Sequence, residues 1–251
     1  PIAAYIHIPF CKIRCTYCSF FKQGSSIKAE AEYVTKLLTE LEQMRNMHYL
    51  KTAEIQAVFL GGGTPGTLTK EQLSSILQKV RQVLPLSSDC EITVESSIYD
   101  MDEEKLAACI ENGANRFSFA VQTFATDLRR QLGRPDTCEE VVRQLKLFAA
   151  TGTKVIIDLI YGLPGQTKEL LQRDLQFYLD CGLSGVDLYK LQIFPGTPLG
   201  NQFKADRSDF PTGRELAELF VSGAEFFSRN GCRQLSCCHW ATDDREISRY
   251  N

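Results

Sequence analysis

The segment Cys11-Lys12-Ile13-Arg14-Cys15-Thr16-Tyr17-Cys18 puts three cysteines into eight residues, spaced C-x3-C-x2-C, directly after the apolar run Ala3 to Pro9. Thiolates are soft ligands, and three on one short loop can hold three irons of a 4Fe-4S cubane while leaving the fourth iron without a protein ligand. An iron left open in this way is a reaction site. Tyr17, directly before the third cysteine, is suited to covering a cluster and keeping water away. Structural zinc is the competing account, but it asks for a fourth Cys or His, usually from a C-x2-C or H-x3-5-H pair. No such pair follows nearby; Cys237-Cys238-His239 lie more than two hundred residues downstream and lack zinc spacing.

Other residues with chemical capacity recur where apolar runs end. Gly61-Gly62-Gly63-Thr64-Pro65 follows one such run, and is either a tight turn needing positive φ or backbone brought close to a ligand because no Cβ intervenes. Glu95, Gln122, Asp158 and Gln192 stand late in or at the ends of others. Any one of them alone can be a polar residue serving loop backbone. Three histidines are present. His7 reads as a strand histidine hydrogen-bonded in the core, and His48 as solvent-facing near a helix end. His239 is either a ligand or proton donor, since neutral imidazole suits iron, or a half-buried neighbour of Trp240. Cys90, Cys109, Cys138 and Cys181 read as small buried hydrophobes.

The elements that carry these residues alternate strand and helix. Strands are expected over Ala3–Ile8, Ile55–Leu60, Glu91–Glu95, Arg116–Val121, Lys154–Tyr161 and Gly185–Phe194. Between them come a helix from Glu30 to Met47 with an i, i+3, i+4, i+7 stripe, one capped by Thr69 with Gln72, and one from Asp102 to Asn112 ended by Gly113. Two more start at Thr137 with Glu140 and near Lys168, and a last one at Thr212 with Glu215. Six strand-helix units with short right-handed connections predict an α/β fold, a partial (β/α)6 barrel of parallel strands. In such folds ligands bind where strands hand over to loops, which is where the cysteine loop and the polar residues lie.

With 251 residues, 43% hydrophobic and 24% charged, the chain is long enough for one large core, and its net charge of −3 offers no basic stripe for nucleic acid. No apolar run approaches the ~20 residues that span a bilayer. Ten cysteines fit a reducing cytoplasm, because oxidation would destroy the cysteine loop. Residues 1–200 read as the barrel core, and residues 201–251 as its last helix and the start of a C-terminal extension, so the chain is expected to be part of a longer protein.

Four ordered stretches, Tyr5-Ile-His-Ile-Pro-Phe-Cys11, Gly61-Gly-Gly-Thr-Pro65, Phe117-Ser-Phe-Ala-Val-Gln122-Thr-Phe124 and Asp158-Leu-Ile-Tyr-Gly-Leu-Pro164-Gly-Gln166, resemble the oxygen-independent coproporphyrinogen III oxidase-like family of the radical S-adenosylmethionine (SAM) superfamily. Thr64-Pro65 replaces the acid of the usual GGE-type motif. The resemblance implies a partial barrel, a 4Fe-4S cluster on Cys11, Cys15 and Cys18, and one or two SAM molecules. It implies SAM contacts at Tyr5, Tyr17, Gly62, Gly63, Thr64, Glu95, Gln122, Arg134, Asp158 and Gln192. SAM carries a ribose diol, an adenine, a sulfonium and an amino acid head, and Glu95, Asp158, Gln122 and Arg134 supply the carboxylates, amide and cation that such a molecule asks for.

The implied chemistry is electron transfer from the reduced cluster into the sulfonium, giving a 5′-deoxyadenosyl radical, with the protein positioning SAM and shielding the radical. The implied partners are a tetrapyrrole, heme or coproporphyrinogen, and an electron donor such as flavodoxin or ferredoxin. The tail pattern His239-Trp240, Arg245-Glu246, Arg249-Tyr250-Asn251 most resembles the anaerobic heme-degrading branch, whose members open heme by methyl transfer. The oxidase and the heme chaperones of the same family are the alternatives.

Overall fold

Residues 2–242 and 248–250 are described by the structure, a computed structural model. Two compact units emerge, one of Pro1–Lys12, Phe20–Ser118 and Ile247–Asn251, the other of Ile13–Ser19 and Phe119–Glu246.

The first unit contains β1 (Ile2–Ile8), β2 (Phe10–Cys11), β3 (Gln23–Gly24), α1 (Ile27–Met44), β4 (Ile55–Gly62), α2 (Lys70–Val83), β5 (Leu86–Ser96), α3 (Glu103–Glu111) and the beginning of β6 (Arg116–Gln122). Its strands run in the order β1-β4-β5-β6. β1 and β4 pair in parallel with Tyr5 opposite Phe59 and Ile8 opposite Gly62, and β5 continues the parallel ladder with Ile92 opposite Val58. Ala57, Val58 and Leu60 are fully buried, which is why β4 reads as a continuous apolar run rather than an alternating one. α1 begins at Ile27 rather than Glu30 because Ser26 accepts the Ala29 N–H as an N-cap. β5 begins earlier than the apolar run predicted, because Leu86 pairs with Ile55 and draws the polar Ser87 to Asp89 into the strand.

The second unit contains the end of β6, α4 (Thr126–Gln131), α5 (Cys138–Ala149), β7 (Lys154–Tyr161), α6 (Lys168–Asp180), β8 (Gly185–Lys190), α7 (Pro198–Ala205), α8 (Gly213–Arg229), β9 (Arg233–Gln234) and β10 (His239–Ala241). The order is β6-β7-β8-β10-β9. β7 and β8 are parallel, with Asp158 opposite Asp187, whereas β10 runs antiparallel to β8 with His239 opposite Asp187. The helices pack through apolar stripes: on α5 these are Val141, Leu145 and Phe148, the last stacked on Phe119 at 4.9 Å.

The capping boxes at Thr69/Gln72, Thr137/Glu140 and Thr212/Glu215 all form. The sixth parallel-type strand was expected to run to Phe194, but it ends at Lys190. Leu191 N–H still reaches the Tyr161 carbonyl, after which the Phe194 carbonyl is taken by Thr197 N–H and Oγ1 in a turn that starts α7. α4, α7 and the β9/β10 ribbon were not expected. Their signals are short, and β10 is fastened through Trp240, whose ring stacks on Phe227 of α8 at 4.9 Å. Among the described residues no helix is long and apolar enough to cross a membrane.

Candidate cofactor site

In the first unit, β1 runs straight into Cys11, and the glycine run at the end of β4 is laced to that approach. Gly63 N–H donates to the Ile8 carbonyl at 2.7 Å and Thr64 N–H to the Phe10 carbonyl at 2.8 Å. These bonds bring the Thr64 hydroxyl to 3.5 Å from the Cys11 sulfur. The backbone approach is too close for side chains: a Cβ on Gly63 would sit 2.6 Å from the Phe10 carbonyl oxygen. Gly62 has φ +116°, and a Cβ there would meet the His7 ring at 2.4 Å. Lys12, next to Cys11, reaches Asp100 at 2.9 Å, an ion pair that anchors the start of the loop.

Glu95, near the end of β5, accepts the Gly62 N–H at 3.2 Å. Its carboxyl is pushed up to about 7 by burial, only partly offset by that N–H. Tyr5 stands half exposed, its hydroxyl 3.2 Å from His7 Nδ1 and its ring stacked on Phe59, which in turn stacks on Tyr250 at 4.8 Å. Tyr5, Cys11, Gly62, Gly63, Thr64 and Glu95 thus all belong to this unit. The Ser248 hydroxyl and the Arg249 N–H both donate to Glu91 Oε1, and Arg249 pairs with Asp89 at 2.6 Å. The remaining tail residues of the sequence pattern, 243–247 and 251, lie outside the described residues.

In the second unit, Cys15 and Cys18 share a turn in which Cys18 N–H donates to the Cys15 carbonyl. Thr16 fastens that turn through its N–H to Leu132 and its hydroxyl to Gln131, and its carbonyl accepts from Leu199 N–H. Tyr17 packs against the cluster of Leu128, Leu132, Ile160 and Leu163. Burial raises its phenol well above the ordinary value. Arg134, buried, bonds the Ala120 carbonyl through Nη1 and the Tyr17 hydroxyl through Nη2 at 3.4 Å.

Gln122 closes β6 at φ +73°, a rare conformation outside glycine, and its Oε1 is buried without a hydrogen-bond partner among the described residues. Asp158 lies half-buried on β7, as expected. Gln192 does not lie on the strand. It is exposed in the loop after β8, because the strand has already ended.

His239 lies on β10, buried, with Nδ1 3.1 Å from Asp187 Oδ1. Asp187 escaped the reading of the sequence. The signal was available in its register beside Asp158, but only once the two strands are paired. Cys90, Cys109 and Cys181 are buried and Cys138 half-buried, as read from the sequence. Burial pushes the Cys109 thiol up to about 12. His7 is half-buried and hydrogen-bonded on its strand, and His48 is exposed.

Among the described residues no group of three or more His, Cys, Asp or Glu is assembled to hold a metal ion. The residues nonetheless fit an iron-sulfur cluster and SAM in kind. Three half-buried loop cysteines carry no disulfide, and the glycine backbone is held where no Cβ is tolerated. A strained residue also carries a buried amide oxygen without a partner among the described residues, as a site awaiting a polar ligand would.

A family model described as the radical SAM superfamily matches residues 5–178, a span that includes all three loop cysteines. The chain is 37% identical over 248 residues to anaerobilin synthase of Escherichia coli O157:H7, covering 98% of this chain and 56% of that protein. It is 33% identical over 251 residues to the heme chaperone HemW of Bacillus subtilis strain 168, covering 99% of this chain and 65% of that one. The chain therefore spans a little over half to two thirds of the length of these relatives. Among solved structures, coproporphyrinogen III oxidase (HemN) from Escherichia coli, a radical SAM enzyme, superimposes with a TM-score of 0.85 at 26% identity, covering 98% of this chain and 56% of that one. This likeness bears out the expected fold class, the partial (β/α)6 barrel. With the matched span, the cysteine loop and the glycine run in agreement, the chain belongs to the radical SAM superfamily.

Proposed function

We propose that the protein carrying this chain is a radical SAM enzyme that acts on a tetrapyrrole, and that its reaction is heme opening by methyl transfer in anaerobic heme degradation. The observation that carries the cofactor chemistry is the lacing of the Gly63 and Thr64 amides to the strand leading into Cys11. The tetrapyrrole assignment is supported by relatives named for heme and coproporphyrinogen, and the heme-opening version by the 37% identity to anaerobilin synthase.

On this reading Cys11, Cys15 and Cys18 hold the 4Fe-4S cluster, and Tyr5, Tyr17, Gly62, Gly63, Thr64, Glu95, Gln122, Arg134, Asp158 and Gln192 serve one or two SAM molecules. When bound, the reduced cluster supplies one electron for homolytic cleavage of a SAM carbon-sulfur bond, drawn in turn from a flavodoxin- or ferredoxin-type donor. The chain's own work is to bind and orient. The Gly62 and Gly63 backbone receives the amino acid head, Glu95 and Asp158 accept from hydroxyls, the Gln122 amide supplies its unpartnered oxygen, and Arg134 holds Tyr17 over the cysteine turn. His239 supplies an imidazole on the substrate side. Residues 1–200 form the working core, and residues 201–251 lead into an extension that covers the substrate. A cytoplasmic location accords with the thiols.

Two other outcomes have support in particular likenesses: a heme chaperone, through HemW, and oxidative decarboxylation of coproporphyrinogen, through the oxidase structure. The full-length protein, reconstituted anaerobically, reduced and mixed with SAM and heme, separates them by mass spectrometry. Heme loss with a methylated linear tetrapyrrole and deoxyadenosine-derived product is expected. Unchanged, tightly bound heme identifies a chaperone, and turnover of coproporphyrinogen alone identifies the oxidase.

A further inference from the structure

Trp240 and His239 are neighbours on β10 and point to opposite faces of the sheet, as alternate strand residues must. Trp240 packs against Phe227 of α8, which turns His239 onto the face that carries Asp187 and, one strand further, Asp158. Three polar side chains from three adjacent strands therefore stand in one row at one level of the second unit. His239 and Asp187 are each more than nine-tenths buried.

The internal chemistry of the row is directional. Asp187 Oδ1 is a carboxylate acceptor, 3.1 Å from His239 Nδ1, so Nδ1 carries the proton and Nε2 the lone pair. The same oxygen receives the Cys238 thiol at 3.6 Å. Burial, and then the Asp187 charge, pushes that thiol up to about 11, which keeps its proton in place as a donor. Leu188 N–H bonds the Cys238 carbonyl at 2.8 Å, tying the backbone on either side of the pair. The imidazole occupies the space a side chain at position 185 would fill: a Cβ on Gly185 would lie 2.9 Å from His239 Cε1 and 3.0 Å from Nε2. Nε2 is buried and has no hydrogen-bond partner among the described residues. A carboxylate on one imidazole nitrogen fixes the ring's tautomer and orientation. The arrangement leaves one ring nitrogen without a partner among the described residues.

We propose that Asp187 is a positioning residue that holds His239 as the Nδ1–H tautomer, so that Nε2 exchanges a proton with the tetrapyrrole. This rests on the tetrapyrrole reading above. In the forward sense the substrate gives one proton to Nε2, the ring becomes an imidazolium bonded to ionised Asp187, and the same proton returns to the product or to solvent. No electron moves in this step. Gly185 is the enabling residue, because any larger side chain would evict the imidazole.

The test uses the full-length protein labelled with 15N-histidine. Its described part has three ring systems, at His7, His48 and His239, and the His239 signals are assigned with His239→Gln. The expected spectrum shows a protonated Nδ1 and a pyridine-type Nε2 for His239. Asp187→Asn, whose amide can donate to Nδ1, is expected to reverse that tautomer. In turnover with SAM and the tetrapyrrole, Asp187→Asn and His239→Gln should each lower product formation at least tenfold while deoxyadenosine release continues, and the double variant should lose no more than either. An Nε2–H tautomer in the parent protein, or Asp187→Asn with product formation unchanged, overturns the proposal. A correct tautomer in a protein that turns over no tetrapyrrole instead overturns the functional reading while leaving the Asp187–His239 pairing in place.

Discussion

The Gly62 amide donates to Glu95 Oε2 at 3.2 Å, so a carboxylate from the end of one strand is held against the glycine turn of its neighbour. That bond favours ionisation of Glu95, and burial outweighs it, pushing the carboxyl up to about 7.

That balance gives a pH signature. The folded state keeps a proton on Glu95 that the unfolded chain releases near its ordinary value of 4.5, so stability falls as pH rises from about 4.5 to about 7 and is level above. Replacing Glu95 with Gln removes the penalty. Denaturant titrations should show the variant gaining on the order of 1–3 kcal/mol over the parent at pH 8 and almost nothing at pH 4. The same variant should bind SAM about tenfold more weakly, a difference of ~1.4 kcal/mol by calorimetry.

Gly62→Ala combines a positive φ with a Cβ driven into the His7 ring. A loss of about 1–3 kcal/mol in unfolding free energy is expected, together with weaker SAM binding. A variant that is as stable as the parent would mean that the turn relaxes.

Gln122 is the one non-glycine residue among those described at positive φ. Gln122→Gly should relieve strain and raise stability by up to about 1 kcal/mol, yet it removes the amide whose oxygen is buried without a partner among the described residues. Higher thermal stability with lower SAM affinity is the expected pair of results. Lower stability with unchanged affinity would assign Gln122 to the fold alone.

Cys15→Ala should abolish cluster binding, read as loss of the iron-sulfide absorption and of protein-bound iron after anaerobic reconstitution. Cys237→Ala, at an exposed cysteine, should retain both. Retention of a full cluster in Cys15→Ala would contradict the assignment of the loop.

Much of the fold was legible because its signals are local. The three Thr-x-x-Gln/Glu capping boxes form as read, and β7 occupies the expected residues, since a cap or an apolar run is decided by neighbours a few positions away. Gln192 shows the limit. Apolar residues continue past Lys190, but the Thr197 turn takes the backbone first, and a residue assigned to a strand is left in an exposed loop. α7, β9 and β10 are too short to declare themselves by periodicity.

The sequence by itself determined which chemical groups are present and at what spacing: three cysteines as C-x3-C-x2-C, a glycine run after a buried strand, carboxylate and amide groups on or at the ends of strands, and a guanidinium at Arg134 in the loop after α4. Residue type and short-range spacing suffice for that, because they set which ligands a segment can hold. Only the tertiary structure decided which of these groups act together. Thr64 meets Cys11 across 53 positions, Asp187 meets His239 across 52, and Glu91 receives Ser248 across 157. Such pairings are set by how distant segments meet, and for Asp187 and His239 by strand register: a shift of one residue would turn either side chain to the opposite side of the sheet.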